Sequence, residues 1–314
     1  MQNGTVGEAD EFEAERRHLL GVAYRMLGGW AEAEDAVQEA WLRWTAADRS
    51  TIESPRGWLT TVTGRICLDV LRSARVRRES YVGSWLPEPV VERLADPAVM
   101  DPGDRVATTD EVSVALLAVL EKQTPEQRVA FVLHDVFDVP FDQVASTLGV
   151  SVQSARQLAS RARRAVRTDT PKHNAELAEQ RTVLDAFLRA CREGDLDGLL
   201  AVLAPDVTLT GDGGGVAPAV RVPVEGLVKV GRFLLNLGER ANHDPDVLIE
   251  PVLVNGDLGL LVHGPDPSRG EDLTIVMAFA YAEGRITAVY NQLNPAKLTR
   301  APRPDPDRAI WQDR

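Results

Sequence analysis

Residues 140–167, PFDQVASTLGVSVQSARQLASRARRAVR, read as two short helices joined by a tight turn. In the first, Phe141, Val144, Ala145 and Leu148 fall at i, i+3, i+4 and i+7, a single apolar stripe. Gly149 follows, where a residue free to take positive φ ends many helices. Ser151 stands where a hydroxyl would accept an orphan backbone N–H of the next helix. In that helix Ala155, Leu158, Ala159, Ala162 and Val166 form the inward stripe. Gln153, Arg156, Gln157, Ser160 and Arg164 form the opposite one, with Arg163 at its margin. An outer face of amide, hydroxyl and guanidinium, on a helix set after a glycine turn, has the form of a helix-turn-helix. Guanidinium groups pair with guanine edges and phosphates, and amides with adenine edges. The competing reading is a solvated arginine-rich helix on an ordinary bundle. Turn, cap and face together favour contact with DNA.

Composition sets a tension against that reading. The 314 residues allow two or three domains, and 44% hydrophobic with 26% charged residues is ordinary for globular chains. The net charge is −12, whereas binding to duplex DNA draws on the neutralisation of phosphates. Arginine is nevertheless dense at Arg72, Arg75, Arg77 and Arg78, and again from Arg156 to Arg167. Two basic patches on an acidic chain suggest a protein that meets DNA together with a partner. The acidic opening MQNGTVGEADEFEAE lacks the character of an export signal, and no apolar run reaches a membrane span, so a cytoplasmic setting without membrane contact is expected. Cys67 and Cys191 are far apart and read as buried apolar residues, and no Cys/His spacing suggests a metal. No cofactor is expected.

Upstream, residues 11–44 read as a helical hairpin broken at Gly28-Gly29. Its second helix places Ala33, Ala36, Val37, Ala40, Trp41 and Trp44 on one face and Glu32, Asp35, Gln38 and Glu39 on the other. Spacing alone reads the acidic face as solvated. Ser54-Pro55 opens a further helix, running to about Arg78, with serine as N-cap. Exposed Thr60, Thr61, Thr63 and Arg65, beside Trp58 and a basic end, would suit opening DNA by stacking and phosphate pairing. Equally, Trp58 would serve the core and the arginines the helix dipole. Residues 81–110 are a linker with four prolines and an apolar anchor, Trp85-Leu86-Pro87-Glu88-Pro89. Thr124-Pro125-Glu126-Gln127 carries a capping-box signature ahead of the helix-turn-helix.

Beyond Pro171 the pattern changes. Helices over 176–192, 199–203 and 224–240 alternate with strand-like runs at 206–210, 247–254, 258–263, 273–282 and 286–292, with turns at Asn255-Gly256-Asp257 and Glu283-Gly284. This is an α+β domain. The tail from Thr299, rich in proline and charge, is expected to be disordered.

The chain resembles an extracytoplasmic-function sigma factor, through DAVQEAW at 35–41, PRGWL at 55–59 leading to DVLR at 69–72, and TPEQR at 124–128. The resemblance implies two all-α sigma domains: region 2 at 8–80 and the helix-turn-helix region 4 at 111–168, joined by the 81–110 linker. Core RNA polymerase, through its β′ clamp helices and β flap, and promoter DNA are the implied partners. Asp35, Gln38, Glu39 and Trp41 would dock on the clamp. Trp58, Thr61, Arg65, Arg72, Arg75, Arg77 and Arg78 would read and open the −10 element, with Arg65 standing where many relatives have Asn. Gln153, Ser154, Arg156, Gln157, Ser160, Arg161, Arg163 and Arg164 would read the −35 element. Residues 174–298 are similar to a SnoaL-like (NTF2-like) cone-shaped α+β domain, fused in one subgroup of these factors in place of a separate anti-sigma factor. That subgroup is marked by WLPEP, intact at 85–89, by a DGGGK-like motif present as Asp212-Gly213-Gly214-Gly215-Val216, and by an NPDKL-like motif present as Asn294-Pro295-Ala296-Lys297-Leu298. These residues would couple the linker to a regulatory domain that modulates initiation. A sigma subunit that meets DNA only within polymerase is free to be acidic overall.

A second reading treats the C-terminal domain as a binder of a small molecule, or as a cyclase or isomerase, since SnoaL-like domains include such enzymes. Asp212, His243, His263, Tyr290 and Asn291 are its acid/base candidates. No Asp–His pair at fixed spacing identifies itself, and a non-enzymatic factor is the favoured expectation.

Overall fold

The computed structural model describes residues 3–78, 81–94, 112–170, 175–266 and 270–310. It divides into two compact units, one formed by 1–80 with 119–169 and the other by 81–118 with 170–314.

The first unit is all helix. α1 (Asn3–Leu27), α2 (Trp30–Ala46) and α3 (Pro55–Arg78) form the N-terminal bundle. Gly28 closes α1 at φ 73°, as the paired glycines lead one to expect. Ser54 accepts the N–H of Gly57 at 3.2 Å, the cap expected for α3. Leu19, Met26, Leu27, Trp44, Leu59 and Leu68 are fully buried at the bundle's centre. Two expectations fail here. Thr60 and Thr63, expected to be exposed, are 3% and 0% exposed. Thr63 falls four residues after Leu59 and three before Ile66, inside the apolar stripe of α3. Thr60 turns inward to bond the carbonyl of Arg56 at 2.7 Å and the ring of His18 at 2.9 Å.

α4 (Val114–Glu121) spans the boundary between the units, and α5 (Pro125–Phe131), α6 (Phe141–Leu148) and α7 (Val152–Asp169) complete the first. The capping box of Thr124 and Gln127 forms in both directions. A π turn, Val132–Val136, continues α5. The short helical parts are joined to the bundle by Arg128, which is 3% exposed. Its Nη1 donates to Met26 O at the end of α1 and its Nε to Leu120 O, both at 2.8 Å, and its Nη2 pairs with Glu121. Burial pushes this guanidinium down to about 9, and it stays a cation at neutral pH.

The second unit is α+β. α8 (Leu177–Glu193), α9 (Leu196–Val202) and α10 (Leu227–His243) accompany a seven-stranded sheet ordered β1-β4-β5-β6-β7-β2-β3. Its strands are β1 (Val91–Arg93), β2 (Leu203–Asp212), β3 (Val224–Glu225), β4 (Leu248–Val254), β5 (Asp257–Pro265), β6 (Asp272–Ala282) and β7 (Arg285–Gln292). Neighbours are antiparallel except β2 and β7. The helix expected from Val224 starts at Leu227, because Val224 and Glu225 pair with β2 instead. The β4–β5 hairpin turns on Asn255 (φ 52°) and Gly256 (φ 83°), the positive pair that an Asn-Gly turn supplies.

Successive residues of a strand point to opposite faces, and both faces of this sheet are apolar. Ile275, Met277, Phe279 and Tyr281 face the helices with Leu184, Phe187 and Leu234. Val276, Ala278 and Ala280 face the other way, with Ala288 and Tyr290, and there meet Leu86, Val114 and Ala115. The alanines leave that face flat enough for extended chain to lie on it. The linker thus belongs to the C-terminal unit and contributes its edge strand β1.

The tail is a further correction. Asp305 N donates to Glu250 at 2.9 Å, Ile310 N donates to Ile249 O at 2.9 Å, and Arg308 Nη1 donates to Leu94 O at 2.8 Å. Its charges and backbone groups find fixed partners, so a composition poor in apolar residues still packs. Residues 311–314 lie outside the described residues. Among the described residues no helix is long and apolar enough to cross a membrane.

Candidate functional site

On α7, the hydroxyl of Ser151 accepts Ser154 N at 3.1 Å, and Gly149 before it sits at φ 68°. This cap and turn aim the helix. Ala155, Ala159 and Ala162 are fully buried, which brings α7 close to its neighbours and leaves Gln153, Arg156, Gln157, Ser160, Arg161 and Arg164 exposed. Arg156 lies over the Phe141 ring, 5.6 Å from its centroid. Two expected DNA contacts have work inside the domain: Ser154 bonds Ser151, and Arg163 is held by Asp135 of the π turn through Nε at 2.6 Å and Nη2 at 2.5 Å.

α2 presents Asp35 and Gln38 to solvent, with Glu39 partly covered and accepting from Arg43 at 3.1 Å. Trp41 is only partly exposed, its ring 5.0 Å from Phe12 in edge geometry. Leu42, one turn beyond Gln38, is 58% exposed. It was not singled out in the sequence, although its place outside the inward stripe was the available signal.

On α3, Trp58 is half-buried and its ring centroid is 5.6 Å from that of Trp44, so core packing claims part of it. Thr61 bonds back to Gly57 O at 2.9 Å. Arg65 and Arg72 are exposed, and Arg72 reaches Glu126 at 3.0 Å. The side chains of Arg75, Arg77 and Arg78 lie outside the described residues.

The WLPEP, DGGG and NPAKL motifs, distant in sequence, converge on the outer face of the sheet. Asp212, at the end of β2, is fully buried. Its Oδ2 accepts Leu86 N at 2.9 Å and Lys297 Nζ at 2.8 Å, and its Oδ1 accepts the Tyr81 hydroxyl at 2.5 Å and Gly214 N at 3.0 Å. Lys297 also donates to Leu86 O at 2.6 Å and lies 3.9 Å from the centroid of the Trp85 ring, where a cation is favoured by the π face. Asn294 donates to Tyr81 Oη at 2.9 Å and caps the 3-10 turn Pro295–Lys297 that carries the lysine. Leu86, Pro87, Glu88 and Pro89 are buried on this site. Gly214 sits at φ 62°, directly beneath the Asn294 amide, where a Cβ would stand 2.5 Å from its carbon. Gly213 would meet the Ala217 carbonyl. The two positions that differ from the subgroup pattern, Val216 and Ala296, are exposed and outside the clamp.

Sequence reading missed three members of the clamp. Gln292 donates to Leu86 O at 3.3 Å and Pro87 O at 3.0 Å. Asn255 exchanges bonds with Val90 at 2.8 and 3.1 Å and donates to Val112 O at 3.1 Å. Tyr81 is the third; burial first, and then the Asp212 carboxylate, raise its phenol above the ordinary range. Gln292 reads as a strand end and Asn255 as a turn former, so neither carried a visible signal.

On the helix face lies a separate cavity of about 550 Å³, walled by residues such as Phe187, Phe233, Leu234, Leu260, Met277 and Asn291. The acid/base candidates do not meet in it. Tyr290 and Asp212 face the linker, exposed His243 bonds Glu239 O at 2.6 Å, and His263 bonds Thr274 at 3.0 Å from the outer side of β5. Only Asn291 lines the cavity. Cys191 also lines it, with a thiol that burial pushes up to about 12. Among the described residues no three His, Cys, Asp or Glu side chains group so as to hold a metal ion.

Comparison with known proteins agrees with both units. The Sigma-70 region 2 family model matches residues 12–77, Sigma-70 region 4 matches 113–166, and the SnoaL-like domain matches 184–289. The chain is 45% identical over 305 residues to the ECF RNA polymerase sigma factor SigJ of Mycobacterium tuberculosis, covering 94% of each chain. It is 37% identical over 290 residues to the probable ECF RNA polymerase sigma factor SigI of the same species, covering 91% of this chain and 93% of that one. The crystal structure of Mycobacterium tuberculosis SigJ superposes with a TM-score of 0.73 at 42% identity, over 93% of this chain and 98% of that one. A helix-turn-helix with a capped glycine turn, and a linker seated on a SnoaL-like sheet, therefore fall within one lineage: this chain belongs to the extracytoplasmic-function RNA polymerase sigma factors, in the form that carries a SnoaL-like C-terminal domain.

Proposed function

We propose that this sigma factor directs core RNA polymerase to its promoters in the cytoplasm while its SnoaL-like domain, acting without catalysis, governs the tether between its two sigma regions. The observation that carries the proposal is the capture of that tether. Residues 81–94 run between region 2 and region 4, and Asp212, Lys297, Gln292 and Asn255 bond six of their atoms: Tyr81 Oη, Leu86 N and O, Pro87 O, and Val90 N and O. A tether fixed in this way restricts the arrangements the two DNA-reading regions adopt, and releasing it widens them. Asp35, Gln38, Glu39 and Leu42 form the face offered to polymerase; exposed Gln153, Arg156, Gln157, Ser160, Arg161 and Arg164 that offered to the −35 element; Arg65 and Arg72, with the basic end of α3, that offered to the −10 element. The scatter of the acid/base candidates supports a non-catalytic role.

The test is promoter-directed transcription by core polymerase with the full chain, compared with Lys297→Met and Gln292→Leu variants. Initiation by the full chain with an altered rate in both variants is expected. Initiation at the same rate in all three would overturn the tether role, and failure of the full chain on every promoter would overturn promoter direction itself.

A further inference from the structure

Three side chains from consecutive elements meet beside α7. Phe141 opens α6 and the apolar stripe continued by Val144, Ala145 and Leu148. Those three are buried, whereas Phe141 is only partly covered. Its ring lies against that of His134 in the π turn, with centroids 3.7 Å and planes 33° apart. The His134 ring is itself fixed: a carbonyl only accepts, so Nδ1 carries a proton and donates to Val139 O at 3.0 Å. The guanidinium carbon of Arg156, an exposed residue of α7, lies over the same phenyl ring, 5.6 Å from its centroid. That is within the reach of about 6 Å over which a π face attracts a cation.

An arginine side chain in solvent samples many rotamers and gives them up when it contacts a base. One already held over a ring has fewer to lose. The attraction draws on the charge and consumes no N–H donor, so the fork that pairs with guanine O6 and N7 stays available. Arg163, about two turns further along α7, shows the opposite use, because its donors are spent on Asp135 of the same π turn. The π turn therefore acts on α7 at two points, by an ion pair at Arg163 and through the phenyl ring at Arg156.

We infer that Phe141, braced by His134, is a positioning residue for promoter recognition: it holds Arg156 over its ring in advance of binding and sharpens the choice of the base pair that Arg156 reads. The inference rests on the reading of α7 as the −35 helix, and it assigns the tuning of that helix to a side chain outside it.

Initiation by core polymerase with the full chain would be scored over a promoter library randomised at the −35 element. Arg156→Ala should abolish the preference at one base pair. Phe141→Leu should shrink the preference at that same base pair about two- to fivefold, the size of an exposed cation–π contact, and leave the other positions alone. Phe141→Tyr, which restores a ring, should recover it, and adding Phe141→Leu to Arg156→Ala should change nothing further. A loss spread evenly over the library, or confined to a different base pair, would overturn the positioning role. So would a preference untouched by either Phe141→Leu or Arg156→Ala. Phe141→Met is a second variant without a ring; if neither it nor Phe141→Leu melts cooperatively, the ring serves the core and the inference fails. No initiation by the unmodified chain on any library member would overturn promoter direction and this assignment with it, a result distinct from every one above.

Discussion

Lys297 Nζ lies 2.8 Å from Asp212 Oδ2, an ion pair in which the aspartate side chain is fully buried and the lysine side chain is 16% exposed. The pair joins the last motif of the domain to the end of β2, and the linker backbone at Leu86 bonds both members. Removing one partner of such a pair leaves the other charged and desolvated, at a cost of about 3–5 kcal/mol. Lys297→Met should therefore free residues 81–94, measurable as faster limited proteolysis there with the rest of the domain intact. Unchanged cleavage would show that the pair is not what holds the linker.

The Tyr81 phenol gives the clamp a pH dependence with a definite sign. Its folded value lies above its ordinary value of 10, so the undocked state releases the proton first as pH rises. Docking should be insensitive to Tyr81 from neutrality to about pH 10 and weaken above it. In Tyr81→Phe that alkaline loss should be absent. Hydrogen exchange at Leu86 against pH measures it.

Arg128→Met should lower the unfolding free energy of the first unit by about 3–5 kcal/mol, because Glu121 and two carbonyls lose a buried donor at once. Urea denaturation would reveal it. By contrast Arg72→Met, which removes an exposed pair with Glu126, should cost about 1 kcal/mol or less.

Within the recognition helix, Arg164→Ala should weaken −35 recognition by about 1–3 kcal/mol while leaving the fold alone. Arg163→Ala should instead lower thermal stability, since Arg163 is occupied by Asp135. Transcription and melting measured side by side on both variants would separate the two roles. If both variants lose only transcription, the Arg163–Asp135 pair has no structural weight.

Ending the chain at Arg300 should loosen β1, because Arg308 would no longer bond Leu94 O, nor the Asp305 amide Glu250, which is 1% exposed. Faster amide exchange at Val91–Leu94 is the expected result, and unchanged protection would assign the edge strand to β4 alone.

Local sequence determined the elements that depend on near neighbours. The helix-turn-helix needed only the spacing of Val144, Ala145 and Leu148, the αL freedom of Gly149 and the hydroxyl of Ser151, all within a few turns of one another. The Thr124–Gln127 capping box and the Asn255-Gly256 hairpin were legible for the same reason. Thr60 and Thr63 were misread because a hydroxyl looks polar in sequence while helix phase decides which way it points. The tail was misread because its stability comes from Glu250, Ile249 and Leu94, none of them adjacent in sequence.

What only the tertiary structure decided is which distant polar groups are partners. By its chemistry alone Asp212 read as an acid/base candidate, and only the resemblance of its motif pointed it at the linker; its partners were fixed once β2 carried it beside Lys297 and Tyr81. Asn291 and Gln292 are successive polar residues with opposite fates, one in the cavity wall with its side-chain oxygen unpaired among the described residues and one spent on the linker. Alternation along a strand assigns them to opposite faces, but what covers each face is set by segments that lie up to some two hundred residues away in the chain.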